Sequence, residues 1–211
     1  MKVVTFIYHD TDGTAKMQES VKRFHEIEVL RVSGFVPDHP LKVYEYFLNC
    51  EDELFCYADA ADTFFQRPLN VPKDYLLWST EKACFPRPEL AKLHPETKSR
   101  WKYLNNGIYC GPTELIREYY KKYQLFDVHH MNGQEKNMRA FLQAQEDGFP
   151  IKLDQGCEEF QSIAFLDYDD FVIEEGMVKN NILGTTPAVL HANGVSPLDW
   201  VYRLWPLERI K

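Results

Sequence analysis

Leu54-Phe55-Cys56-Tyr57-Ala58-Asp59-Ala60-Ala61-Asp62 is the stretch on which the fold of this chain turns. Its first half is a short apolar run with the character of a buried strand, and it ends in two acids separated by small residues. Upstream, Val3-Val4-Thr5-Phe6-Ile7-Tyr8 reads as a buried first strand. Met17, Val21 and Phe24 then recur at helical spacing and predict a helix ending near His25. Glu28-Val29-Leu30-Arg31-Val32 reads as a second strand, and Leu41, Tyr44, Phe47 and Leu48 give the next helix one apolar face. This alternation predicts an α/β fold: a Rossmann-like, mostly parallel central sheet flanked by helices and joined by right-handed crossovers.

Downstream the pattern is less regular. Tyr75-Leu76-Leu77-Trp78-Ser79 reads as a strand, and the prolines at 86, 88 and 95 exclude one uninterrupted helix between Phe85 and Arg100. Asn105-Asn106-Gly107 reads as a turn leading into a strand over Ile108-Tyr109-Cys110-Gly111. Pro112 then opens a helix to about Tyr123. A helix over Gln134 to Glu146 follows, then Ile151-Lys152-Leu153-Asp154, a hairpin around Asp170 to Asn180, a strand over Ala188-Val189-Leu190, and a last helix from about Leu198.

The 211 residues suit one domain spanning 1–211, with ordinary apolar (45%) and charged (27%) fractions that exclude disorder. A formal charge of −8 argues against a protein that grips nucleic-acid backbone, and Lys92, Lys98, Arg100 and Lys102 read as a solvated loop face. Five cysteines without Cys-x-x-Cys spacing argue for a reducing compartment. With no segment long enough to span a bilayer, the expectation is a cytoplasmic protein without a membrane partner.

Neither Gly-x-Gly-x-x-Gly nor Gly-x-x-x-x-Gly-Lys is present, so a bound nucleotide needs another way to neutralise its phosphates, which points to a metal. Asp59 and Asp62 stand where a buried strand ends, the usual place for ligand contacts in an open α/β sheet. The bland reading is a helix cap plus a solvated acid. His191 is delivered by the strand over Ala188-Val189-Leu190 and followed by Asn193-Gly194. Two hard carboxylates and an imidazole suit Mn²⁺ or Mg²⁺ with positions open for diphosphate oxygens. His129-His130 is a rival ligand source and reads as surface.

These residues resemble the GT-A glycosyltransferases, and within them the glycosyltransferase domain of the procollagen lysyl hydroxylases and its microbial and viral relatives. The resemblance rests on Lys42-Val43, Phe55 to Asp62, Ser79-Thr80-Glu81 with Cys84, and Tyr103 to Gly107. It continues through Ile151 to Asp154 with Phe160-Gln161, and Pro187 to Gly194 with Pro197. It implies a Mn²⁺ held by Asp59, Asp62 and His191 on the diphosphate of a UDP-sugar, and transfer to a hydroxyl acceptor with retained configuration. It further implies Asn105, Asn106 and Gln134 at the reacting sugar, and Lys42, Phe85, Gly107, Asp154, Asn193 and Gly194 against donor or acceptor. The acceptor class stays open between a hydroxylated side chain, a saccharide and a hydroxymethylated DNA base, the one role left to nucleic acid.

Two departures stand out. Met131-Asn132-Gly133-Gln134-Glu135 keeps the family's glutamine and lacks the aspartate run before it, and Ala61 stands where the family often has an aromatic residue. The first motivates an alternative, a non-catalytic module that binds a sugar nucleotide or a glycan. A nucleotidyltransferase on a similar sheet is the third reading, disfavoured by the missing glycine-rich loop.

Overall fold

The computed structural model describes residues 1–33, 39–127, 132–165 and 168–194. The His129-His130 pair, Pro197 and the helix expected from Leu198 lie outside the described residues.

The strands and helices of the first half follow the periodicity closely: β1 (Lys2–Ile7), α1 (Asp12–Lys22), β2 (Glu26–Arg31), α2 (His39–Asn49) and β3 (Leu54–Ala58). Thr11 caps α1 reciprocally with Thr14, which satisfies amide donors that a helix start otherwise leaves open. The short β4 (Thr63–Phe65), then β5 (Leu76–Glu81), β6 (Tyr103–Pro112), α3 (Thr113–Lys122), α4 (Gly133–Glu146) and β7 (Ile151–Leu153) come next. The remainder is β8 (Phe160–Ser162), the hairpin β9 (Phe171–Glu174) and β10 (Met177–Asn180), and β11 (Val189–His191).

Six strands form the central sheet in the order β2-β1-β3-β6-β5-β7. The β1–β2, β1–β3 and β5–β7 pairs are parallel, while β6 is antiparallel to both neighbours. The mostly parallel α/β reading therefore holds, with one reversed strand in the middle. A second sheet, β4-β11-β8, packs beside it.

Alternate side chains of each strand face opposite layers, as a pleat requires. Val4, Phe6, Phe55 and Tyr57 share one core with Val43 and Phe47 of α2, Ile116 and Tyr119 of α3, and Phe141 of α4. Val3, Cys56 and Ala58 face the other way, onto Met17 and Val21 of α1 and onto Phe65, Phe160 and Val189 of the second sheet. Tyr57, Tyr109 and Trp78 stack in a column with centroids 4.8 and 4.4 Å apart. Such pairs contribute about 0.5–1.5 kcal/mol each beyond their burial, and they stiffen the three central strands against one another. All five cysteines are free and buried.

One expectation is corrected. Asn105-Asn106-Gly107 is not a turn ahead of a strand, because it lies inside the single strand β6. Trp78 pairs with Tyr109 and Thr80 with Leu104, so residues 105–108 stand opposite Ser79 alone. The residues that signal a tight turn serve a bulge here, since strands pair on both sides of the segment. Asn105 organises it: its Oδ1 accepts the Gly107 N–H at 3.0 Å and the Ser79 hydroxyl at 3.1 Å.

Candidate functional site

Asp59 follows the last residue of β3, and its N–H donates to Gly107 O at 2.8 Å, tying the acid to the bulge. The turn from Asp59 ends at Asp62, and β4 begins at the next residue. His191 pairs with Thr63 across the antiparallel β4–β11 ladder and with Ser162 across β8. The Ala192 N–H closes the arrangement on Asp62 O at 2.8 Å. Sheet register thus delivers a histidine from far along the chain to the two aspartates.

His191 Nε2 lies 3.6 Å from Asp59 Oδ2 and 3.5 Å from Asp62 Oδ2. One ligand atom from each of the three residues falls within 4.8 Å of the others. Atoms that share one divalent ion stand roughly 3–3.5 Å apart, whereas a good hydrogen bond would be shorter than 3.2 Å. Both ring nitrogens of His191 are buried without a hydrogen-bond partner, a cost that an ion on Nε2 would remove at that atom. A Cβ on Gly107 would overlap His191 Cε1 and lie 2.7 Å from Asp59 Oδ2, so only glycine leaves this corner open. The donor set and its spacing fit a hard divalent cation.

The charges reflect the crowding. Burial and the nearby Asp62 raise the Asp59 pKa, with His191 and the Tyr57 hydroxyl acting against them. Burial alone would lower the His191 pKa, but the carboxylates of Asp62, Asp59 and Glu81 outweigh it and leave it raised. Each group therefore holds its proton to higher pH than usual, because the facing carboxylates favour the charged imidazole and disfavour a second negative charge beside the first.

The cleft over this cluster has a volume of about 220 Å³ and is lined by His39 and Tyr57 as well as Asn105, Asn106, Gly107, Gln134, Asn193 and Gly194. Six of the residues read from sequence as sugar- or substrate-contacting are thus gathered beside the two acids and the imidazole. Asn106 Oδ1 is buried and unpartnered there.

Glu81, at the end of β5, is the functional candidate that the sequence reading left unassigned. It is 4% exposed, and its carboxylate accepts the Gln134 side-chain amide on one oxygen and that of Asn193 at 2.7 Å on the other. Burial pushes its pKa up to about 7 against those amides and His191. A charged residue closing the otherwise uncharged strand Leu76–Glu81 was the available signal. His39 and Tyr57 were also missed; they stand at a helix start and two residues before Asp59.

Three residues are not brought into the cleft. Lys42 lies along α2 in a separate groove with Glu28, Arg31 and Glu45, and the residue of α2 that does reach the cleft is His39. Phe85 is 57% exposed and meets the site through its backbone, where its carbonyl accepts Gln134 Nε2 at 2.9 Å. Asp154 is buried, and its carboxylate accepts the N–H groups of Glu158, Glu159 and Phe160 at 3.1, 2.8 and 2.7 Å. That is a loop-organising role. Asp154→Ala is expected to lower unfolding free energy by about 2–4 kcal/mol in urea melts, because it strands three amide donors. A variant as stable as the wild type would mean that Asp154 does not organise this loop.

Among the described residues, no helix is long and apolar enough to cross a membrane. Comparison with known proteins adds the remaining constraint. The PLOD GT domain family matches residues 49–202, a span that contains Asp59, Asp62, Glu81 and His191. Procollagen-lysine,2-oxoglutarate 5-dioxygenase of Drosophila melanogaster is 23% identical over 94% of this chain and 31% of its own length. An uncharacterized protein of Acanthamoeba polyphaga mimivirus is 25% identical over 63% of this chain and 30% of its own. The chain spans about a third of the length of these relatives.

Proposed function

The chain belongs to the PLOD GT domain family, and from that premise we propose that it transfers a sugar from a UDP-sugar to a hydroxyl acceptor, using a divalent ion held by Asp59, Asp62 and His191. The carrying observation is the convergence of those three side chains, with His191 buried and unpartnered, at one end of a cleft in a glycosyltransferase-family fold. Held there, Mn²⁺ or Mg²⁺ would supply Lewis-acid stabilisation of the charge on a departing diphosphate.

The chain's own residues supply the rest. Gly107 keeps the floor low enough for a phosphate-sized group to approach the aspartates. Asn106 offers a side-chain amide whose oxygen has no partner within the protein, a donor–acceptor pair suited to sugar hydroxyls. Glu81, buried behind the cleft-lining Gln134 and Asn193 amides that it holds, has a carboxyl whose pKa burial raises to about 7. Through those two amides it positions Gln134 and Asn193 at the cleft wall. Holding the acceptor oxygen close to a cationic sugar is the second part of the rate gain. The reading includes retention of anomeric configuration.

A panel of UDP-sugars, assayed for UDP release with and without Mn²⁺, tests this. Release with at least one sugar, lost on chelation, is expected. Metal-dependent thermal stabilisation by UDP with no release from any sugar would replace the transferase by a binding module.

A further inference from the structure

Tyr57 Oη donates to Asp59 Oδ1 at 2.7 Å, while the other oxygen of the same carboxylate, Oδ2, is the one that faces His191. A carboxylate only accepts, so the Tyr57 hydroxyl proton is committed to Asp59. The Tyr57 oxygen can then accept, and His39 Nε2 lies 2.9 Å from it. With Nε2 as donor, His39 Nδ1 is the acceptor for the Tyr8 hydroxyl, 3.0 Å away. The order of donors is therefore set along one chain, Tyr8 to His39 to Tyr57 to Asp59. Burial holds the imidazole neutral, with its pKa lowered to about 4, as this order requires.

The rings have little freedom. Tyr57 is 4% exposed and stacked on Tyr109, and Phe6 meets His39 edge-on at 5.2 Å. Tyr8 follows β1, His39 opens α2 and Tyr57 sits in β3, so three separate elements converge on one oxygen of Asp59.

We propose that Tyr57, oriented by His39, is a positioning residue that occupies Asp59 Oδ1 and leaves Oδ2 as the single oxygen offered to the metal ion. One-oxygen ligation favours small ions that hold near-octahedral geometry, such as Mn²⁺ and Mg²⁺. Calcium, which tolerates two-oxygen carboxylate ligation and more ligands, is disfavoured. The inference rests on the Asp59–Asp62–His191 metal reading and adds to it a source of ion selectivity outside the ligand set.

Binding of Mn²⁺ and of Ca²⁺ to the protein alone, without donor sugar, tests it by titration calorimetry or by the free-Mn²⁺ electron paramagnetic resonance signal. Tyr57→Phe keeps the stacked ring and removes the hydroxyl. It is expected to weaken Mn²⁺ about ten- to a hundredfold, the usual scale for an outer-shell partner, and Ca²⁺ less, so that the Mn²⁺/Ca²⁺ preference falls. His39→Leu should act in the same direction, and His39→Gln, whose amide still donates, should recover most of that loss. The double variant Tyr57→Phe with His39→Leu should match Tyr57→Phe alone, because His39 acts only through Tyr57. A Tyr57→Phe protein that binds Mn²⁺ as tightly as the wild type, with unchanged Mn²⁺/Ca²⁺ preference, overturns this inference and leaves the metal site standing. Additive losses in the double variant overturn the linear chain. A wild-type protein that binds neither ion removes the metal reading and this inference with it.

Discussion

Asp62→Ala is expected to lose the whole Mn²⁺-dependent thermal stabilisation by UDP while the fold stays intact. The turn that carries Asp62 is held by its backbone, since Asp62 O accepts the Ala192 N–H at 2.8 Å, and that bond survives truncation of the side chain. What disappears is a carboxylate 3.5 Å from His191 Nε2, one of the three groups able to hold the ion. A ligand at a hundred times its Kd stabilises by about 2.7 kcal/mol, which in a domain of this size raises Tm by roughly 5–10 °C. Scanning fluorimetry should find that shift in the wild type with Mn²⁺ and UDP together, and none in the variant. A variant that retains the full shift would place the metal elsewhere.

Gly107→Ala should be nearly as damaging, although it removes nothing. The added methyl would overlap His191 Cε1 and lie 2.7 Å from both Asp59 Oδ2 and His191 Nε2. His191 cannot step aside easily, because it is 2% exposed and its strand is paired on both edges. Either its ring turns away or the bulge shifts with Asp59, and both separate the three ligands. Overpacking of this kind costs about 1–3 kcal/mol of stability, which the protein is expected to survive. Mn²⁺ affinity should fall by roughly a hundredfold or more, beyond the usual loss of an outer-shell contact, because the ligands themselves move. Gly133→Ala is the control: its Cβ meets nothing nearer than Pro40 Cγ at 3.8 Å, and ion binding should be unchanged. Equal Mn²⁺ binding by the wild type and Gly107→Ala would mean that the ion does not sit between His191 and Asp59.

Much of the frame was legible because it follows from local chemistry. Val3–Tyr8 is a β-branched and aromatic run and Leu54–Tyr57 an apolar one, both too short for helices, and the spacing of Met17 and Val21 or of Tyr44 and Phe47 leaves little choice but a helix with one buried face. The bulge in β6 was not legible. Asn-Asn-Gly carries the same local signal in a turn and in a bulge, and only pairing with β3 and β5 on either side decides between them. The assignments of Lys42 and Asp154 came from family likeness rather than from anything in their neighbourhoods. The structure sets Lys42 in another groove and buries Asp154 against a loop backbone.

Glu81 and His39 illustrate a different limit. A glutamate at a strand end and a histidine at a helix start are both ordinary in sequence. Their environments arise when β5 meets the Gln134 and Asn193 amides and when α2 packs against β1 and β3.

The sequence by itself determined the order of the first three strands and the two helices between them, and that two aspartates would stand at the end of the third strand. Those properties depend on residues within a few positions of one another. That His191 joins them was decided by the tertiary structure. Asp62 ends a turn, β4 starts at the following residue, and the β4–β11 register sets His191 opposite Thr63. Strand register is chosen by which faces the two sheets can bury together, and that choice belongs to the whole core rather than to either segment.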